Sequence, residues 1–308
     1  MKILVLGAGA TGGYYGGRLA ASGADVTFLV RPKRAAQLAA HGIVIESSFG
    51  NLTTPAKTVT ADTVAACYDL IILSCKSYDL ASSIAAIAPA AGPETQVLPL
   101  LNGIRHLTEL DAAFSPERVL GGTCHLSVHL ADDGAIQHLN TLHLLTFGPR
   151  SATQPAFCRS VLAVLQKANF ETKMSDNIMH DMWGKWVLLA SLAGMTCLMR
   201  ASVGEIAASR DGRALMLALI DECASIAAAN GAAPHADALA KIQSMMTDPK
   251  SAVVASMLRD MQRGARIEGD HIIGDMLARA QAAKIPAPLL QIAYANLQAY
   301  QNRQAANG

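Results

Sequence analysis

Three glycines, Gly7, Gly9 and Gly12, follow the apolar run KILVL and open a stretch with helical patterning. In that setting the G-x-G-x-x-G spacing has a mechanical meaning. One glycine permits a tight turn, the second lets a pyrophosphate approach the backbone, and the third lets helix and strand pack closely. Ala10 and Thr11 then begin a helix whose N-terminal amides face the phosphates. The chemistry implied is dinucleotide binding. A second run, DVTFLV, ends where an NAD-selective site would carry an acid for the ribose 2′-hydroxyl. Arg31 stands there instead, with Lys33 and Arg34 close behind. A guanidinium offers the charge and planar fork that a 2′-phosphate accepts, so the pattern favours NADP(H).

Lys185 raises a second chemical question. It lies in WGKWVLLASLAGMT, with no other charge until Arg200. It can be read as a membrane anchor, as a surface lysine whose stem lies along apolar neighbours, or as a proton donor in an apolar wall. The uncharged run from Trp186 to Met199 is 14 residues, about 21 Å of helix against about 30 Å of bilayer hydrocarbon. It is too short to span, and Ser191, Gly194 and Thr196 suit a helix surrounded by protein. The other two readings stay open on the residues alone.

The elements that would position these groups fall into two halves. KILVLG, DVTFLV, DLIILSC and QVLPLL are strand-like and alternate with helical patterns near 10–21 and 32–40, which argues for βαβ units around a parallel sheet. From about residue 118, VLGGTCHLSVHL, AIQHL and LHLLTFG read as antiparallel strands added to that sheet, with Asp133-Gly134 as a hairpin signal. After about residue 175 the pattern is helical, with breaks expected at Gly231, Asp248-Pro249, Gly264, Gly269, Pro286 and Pro288. The tail QNRQAANG reads as frayed. The expected organisation is a Rossmann-type NADP-binding domain over 1–175 and an all-α catalytic domain over 176–308, packed to leave a cleft.

Composition narrows the partners. Twenty-five basic and 24 acidic residues leave a net charge of +1, with no field to draw nucleic acid or anionic lipid. A small ligand is the better expectation. Six cysteines without clip or redox spacing read as buried small hydrophobes in a reducing compartment, and the N-terminus lacks a leader's apolar stretch. A cytoplasmic location is expected. His125 and His129 lie four apart on a strand, but no third ligand stands at a recognised spacing, so no metal is expected.

The chain resembles the ketopantoate reductase family, the NADPH-dependent 2-dehydropantoate 2-reductases of pantothenate biosynthesis. The similarity runs from GAGATGGYYGGRLA through LSCKSYDL, LLNG and MWGKW to SMLRDMQRGARIEGDHIIG. It implies a Rossmann domain, a helical domain and an active site in the cleft between them. It also implies that Lys76 and Asn102 lie near nicotinamide and substrate, that Lys185 is the general acid, and that Ser256 and Glu268 complete the pocket. The chemistry suits those types. Hydride delivered to a ketone leaves an alkoxide, which an ammonium both stabilises and protonates. Two flanking tryptophan rings and an apolar helix would desolvate Lys185 and lower its pKa. Glu268 would steady the ammonium and Ser256 a substrate carboxylate, with Gly264 breaking the helix to bring Glu268 round.

Three positions depart from the family pattern. Leu189 and Ala193 stand where asparagines are usual one and two turns after the lysine, and Val253 replaces a third. Lost hydrogen-bonding groups change selectivity sharply, so a 2-oxo acid reductase with a more apolar pocket is expected. Arg105 is the candidate to pair with a substrate carboxylate. A homodimer is expected. The rival readings are a non-catalytic NADPH-binding sensor or partner-binding module and an opine-type dehydrogenase.

Overall fold

The computed structural model describes residues 1–307. The chain divides into two compact units, Met1–Leu101 with His106–Ile178, and Asn102–Arg105 with the chain from Met179 onward.

In the first unit, β1 (Lys2–Leu6), β2 (Asp25–Leu29), β5 (Lys57–Val59), β6 (Leu70–Leu73) and β7 (Gln96–Pro99) form an all-parallel sheet. Its order is β5-β2-β1-β6-β7. β1 and β6 are buried almost throughout, which suits apolar runs in a sheet covered on both faces. α1 (Ala10–Ala21) and α2 (Pro32–His41) lie where their patterns predicted, and Pro32 sits at the start of α2, where its missing N–H costs nothing. α1 packs through glycine: a Cβ at Gly16 would stand 2.6 Å from Phe28 Cε1.

β3 (Ile43–Glu46), β4 (Leu52–Thr54), β8 (Gly121–Leu130), β9 (Ile136–Gly148) and β10 (Glu171–Met174) form a second sheet. This corrects the expected extension of the parallel sheet. β8 and β9 do pair antiparallel, but β9 continues in parallel to β3 and β10. An isolated bridge, Val97 with Val119, leads from the first sheet toward β8, and α1 packs against strands of both sheets. The β8–β9 turn is closed by Ala131 N–H donating to the Ala135 carbonyl, with Gly134 at φ +90°. α3 (Leu80–Ile87), α4 (His106–Phe114) and α5 (Pro155–Leu165) complete the unit.

The second unit is helical: α6 (Ile178–Met199), α7 (Val203–Ala208), α8 (Gly212–Ala229), α9 (Ala236–Met246), α10 (Ser256–Gln262), α11 (Asp275–Ala282) and α12 (Pro288–Asn307). α7 starts with a capping box in which Ser202 and Glu205 satisfy each other's backbone N–H. α6 extends seven residues before Lys185, so it is long and apolar enough to cross a membrane, contrary to the limit drawn from the uncharged run alone. It is nevertheless a core helix: 67% of its most apolar window is buried within the protein. Ser191 and Thr196 donate their hydroxyls to the carbonyls of Val187 and Leu192 at 2.8 and 2.7 Å, and Leu219 closes on Gly194. The polar groups in the apolar run are thus satisfied within the helix.

Three other expectations change. Gly269 does not break the chain, because it adopts helical angles and leads into a π-helical turn, Asp270–Gly274, continuous with α11. The tail is helical through Asn307, since α12 packs against α8 and carries QNRQAAN with it; Gly308 lies outside the described residues. Of the cysteines, Cys124, Cys158, Cys197 and Cys223 are buried, but Cys67 is exposed and Cys75 half-buried. Burial pushes the thiols of Cys197 and Cys223 up to about 12 and that of Cys158 to about 11, which keeps them protonated.

Candidate active site

In the first unit the turn after β1 opens on a cavity of about 600 Å³. Gly7, Ala8 and Gly9 line one side, Arg31 and Pro32 another, and Ser74 and Cys75, just past β6, a third. Gly7 has φ +83°, in the left-handed region, and its N–H donates to the Leu29 carbonyl at 2.9 Å. Gly9 caps α1, and a Cβ there would meet nothing within 4 Å, so its open face is free for an incoming group. Gly12 is tight instead: a Cβ would collide with Ser74 Oγ and the Gly7 carbonyl oxygen. Ala10 and Thr11 form the first turn of α1. An open backbone face beside helix N-terminal amides, in a cavity of this size, fits a dinucleotide pyrophosphate.

The two nearby arginines are used differently. Arg34 is half-buried, donating from Nε to the Ala8 carbonyl at 3.1 Å and from Nη2 to Gly134 at 3.2 Å. Burial lowers its pKa. It braces the glycine turn against the β8–β9 hairpin. Arg31 is exposed at the cap of α2 and on the cavity wall. Lys76 is exposed at the cap of a single 3₁₀ turn, Ser77–Asp79, directly after the lining residue Cys75.

In the second unit Lys185 projects from α6 and its Nζ donates to Asn102 Oδ1 at 2.9 Å. The sequence reading placed Asn102 in the first domain with the rest of 1–175. Residues 102–105 instead cluster with the helices, because Asn102 is bonded to them at two points. The second is His271 Nε2, 2.8 Å from the Asn102 main-chain carbonyl. A carbonyl only accepts, so this nitrogen carries the proton. Gly103 turns the chain at φ +71° against the imidazole, where a Cβ would lie 3.4 Å from Cδ2 and Nε2 of His271.

Burial lowers the pKa of His271; Glu268, the bond to Asn102 and Asp275 raise it, and Arg105 lowers it. Glu268 and Arg105 are therefore in electrostatic range of the ring that holds Asn102. Arg105 is exposed, and Glu268 is half-buried beyond the break at Gly264, which has φ +69°. Ser256 is the exposed first residue of α10. On α6, Leu189 is half-buried and Ala193 buried, while Val253 is 43% exposed in the strand-free segment before α10.

Trp183 and Trp186, three residues apart, share a helix face and pack on each other, with ring centroids 4.8 Å apart. Arg279 stacks on both, 5.4 and 5.5 Å from the two centroids, and is bonded to Asp275 at 3.2 Å. Trp186 Nε1 donates to the Ile272 carbonyl at 2.9 Å, tying α6 to the π-helical turn beside His271. Sequence reasoning did not single out His271 or Arg279. His271 is 169 positions from Asn102, and no spacing rule connects them.

With this geometry in view, the similarities to known proteins are informative. The family model described as Ketopantoate reductase PanE/ApbA matches residues 3–152, and its C-terminal counterpart matches 177–301. An uncharacterised oxidoreductase of Bacillus subtilis, YkpB, is 38% identical over 98% of this chain and 99% of its own. Among solved structures, a PanE/ApbA family ketopantoate reductase from Ralstonia eutropha superposes with a TM-score of 0.88 at 26% identity, over 99% of this chain and 100% of its own. D-mandelate dehydrogenase, solved with NADH and anilino(oxo)acetate, shares the fold with a TM-score of 0.89 at 21% identity, over the same shares of both chains.

Proposed function

The chain belongs to the ketopantoate reductase family, an oxidoreductase family, and from that premise we propose that it reduces a 2-oxo carboxylic acid to the 2-hydroxy acid with NADPH. The observation that carries the proposal is the ammonium of Lys185 held by Asn102 Oδ1 at 2.9 Å in a half-buried setting.

The roles follow from the groups. Gly7, Gly9 and Gly12, with the amides that open α1, hold the pyrophosphate. Arg31 takes the 2′-phosphate, since Arg34 is committed to the Ala8 and Gly134 carbonyls. A nicotinamide bound there would supply hydride to the substrate's carbonyl carbon, leaving the electron pair of the broken C=O π bond on oxygen. Lys185 would stabilise that charge and pass one Nζ proton to it, becoming a neutral amine. Asn102 keeps one N–H of the ammonium engaged and so limits its rotation. Glu268 orients the ammonium and the substrate oxygen, Ser256 and Arg105 meet the carboxylate, and Lys76 attends the cofactor.

Leu189, Ala193 and Val253 bear on the choice of acid. They offer no hydrogen bond to a polar substrate side chain, so 2-oxo acids with apolar substituents are favoured over ketopantoate. NADPH oxidation across a panel containing 2-dehydropantoate, 2-oxo-2-phenylacetate and branched aliphatic 2-oxo acids tests this. Turnover of the apolar acids is expected. Tight NADPH binding with no turnover of any acid would favour a sensor, and amine-dependent oxidation an opine-type dehydrogenase.

A further inference from the structure

We propose that His271 is a positioning residue: by donating from Nε2 to the Asn102 main-chain carbonyl, it fixes the Asn102–Gly103 turn so that Asn102 Oδ1 meets Lys185. The inference rests on the reading of Lys185 as the proton donor and extends that reading to a group that acts on it through Asn102.

Geometry supports it from both sides of the peptide. Asn102 carries two bonds to the helical unit, one through its carbonyl to His271 at 2.8 Å and one through its side chain to Lys185 at 2.9 Å. Without the first, the main chain at Asn102 loses its direct bond to the helical unit. Gly103 needs its left-handed φ of +71°, a conformation that glycine visits freely and leaves as freely. The imidazole stands beside that glycine, 3.4 Å from where a Cβ would lie, and its bond to the preceding carbonyl restricts the turn. His271 is itself held in the π-helical turn, whose Ile272 carbonyl receives the indole N–H of Trp186, next to Lys185 in sequence. The path is a closed loop from α6 through Trp186, the π-helical turn, His271 and Asn102 back to Lys185. Single π-helical turns within helices are rare and occur frequently at functional sites.

The donor also needs a particular protonation pattern. Neutral His271 with the proton on Nε2 can make the bond, and so can the cation. Buried among Glu268, Asp275 and Arg105, with the Asn102 carbonyl ahead of it, the ring sits among charges of both signs. The bond to Asn102 therefore persists through the neutral range, and its function is geometric.

The test reads Lys185 directly. In protein carrying ¹³C- and ¹⁵N-labelled lysine, the Lys185 resonance is assigned by its loss in Lys185→Arg, and its titration midpoint is compared among variants. Asn102→Ala removes the acceptor that favours the charged amine, and a fall of about one pH unit is expected. His271→Phe keeps a ring of similar size without the donor, and a fall in the same direction of roughly half a unit is expected. His271→Gln places an N–H near the imidazole Nε2 position and should restore the wild-type midpoint. A wild-type midpoint in His271→Phe, or a midpoint in His271→Gln as low as that in His271→Phe, overturns the inference, as does an unshifted Asn102→Ala. Failure of the underlying reading looks different. Wild-type turnover in Lys185→Ala removes the catalytic role while leaving these titrations as they are.

Discussion

At the glycine turn the backbone features that shape the cavity lie a few residues apart, whereas the hydrogen bonds that hold Lys185 and Asn102 join positions 102, 185 and 271. The first arrangement is made by the chain's local path: a left-handed Gly7, an open Gly9 and a Gly12 with no room for a Cβ. The second depends on a turn from one part of the sequence being bonded to helices from another. A local device tolerates change elsewhere but not within its own few residues. A converged one can be disturbed from any of its supports.

The largest consequence is expected at the converged site. Lys185→Ala should lower turnover by roughly a hundred- to ten-thousand-fold, the usual contribution of a general acid, while NADPH binding measured by fluorescence stays intact. Wild-type turnover would end the assignment of Lys185. The glycine turn should fail in two separable ways. Gly12→Val forces a branched side chain into Ser74 Oγ and the Gly7 carbonyl, at a cost of about 1–3 kcal/mol in denaturant unfolding. Gly9→Ala should leave stability within about 0.5 kcal/mol, because nothing lies within 4 Å of the added methyl, yet weaken NADPH binding. Equal losses of stability in both would mean that the turn is tight for packing alone.

Arg31→Ala is the next step down. Loss of one charge-assisted contact costs about 1.5–3 kcal/mol, or roughly ten- to a hundredfold in NADPH affinity, with NADH affinity little changed. Equal effects on both cofactors would remove the 2′-phosphate assignment.

The same contrast explains what the sequence could reveal. β1, α1, β2 and α2 were legible because apolar runs, glycines and Pro32 act within one turn or strand of themselves. The helices after residue 175 were legible from their periodicity. The second sheet was not, because β9 pairs with β3, about ninety residues away, and short strands such as β4 and β5 carry no pattern of their own. Lys185, Asn102, Glu268 and Ser256 were identified through likeness to a family, and the structure joins Lys185 to Asn102 directly. His271 lies inside the family-like stretch EGDHIIG, but neither spacing nor that likeness assigned it a role. Trp183 and Trp186 were legible as aromatic, but that Arg279 would stack on both was a tertiary matter.

The smallest expected effect compares the two units through one histidine each. His143 on β9 and His271 in the π-helical turn both have pKa values lowered chiefly by burial. For each, the native state binds protons less readily than the unfolded chain, whose histidines titrate near 6.5. Their favourable contribution is therefore complete above about pH 6.5, declines as pH falls toward the lowered native value, and levels off below it. His143→Gln and His271→Gln each remove one such group, so the stability lost between pH 7.5 and 5 should be smaller in either variant than in the wild type. Urea midpoints at the two pH values measure the difference. The His143 side has a further restraint, since its Nδ1 lies 3.0 Å from Tyr14 Oη, its ring stacks on Phe49 at 3.7 Å, and Arg18 opposes its protonation. Around His271, Glu268 and Asp275 oppose the depression and Arg105 reinforces it. A pH slope unchanged by His143→Gln would show that burial around Tyr14 and Phe49 relaxes when the ring is charged, and that the first unit yields where the contact geometry says it should resist.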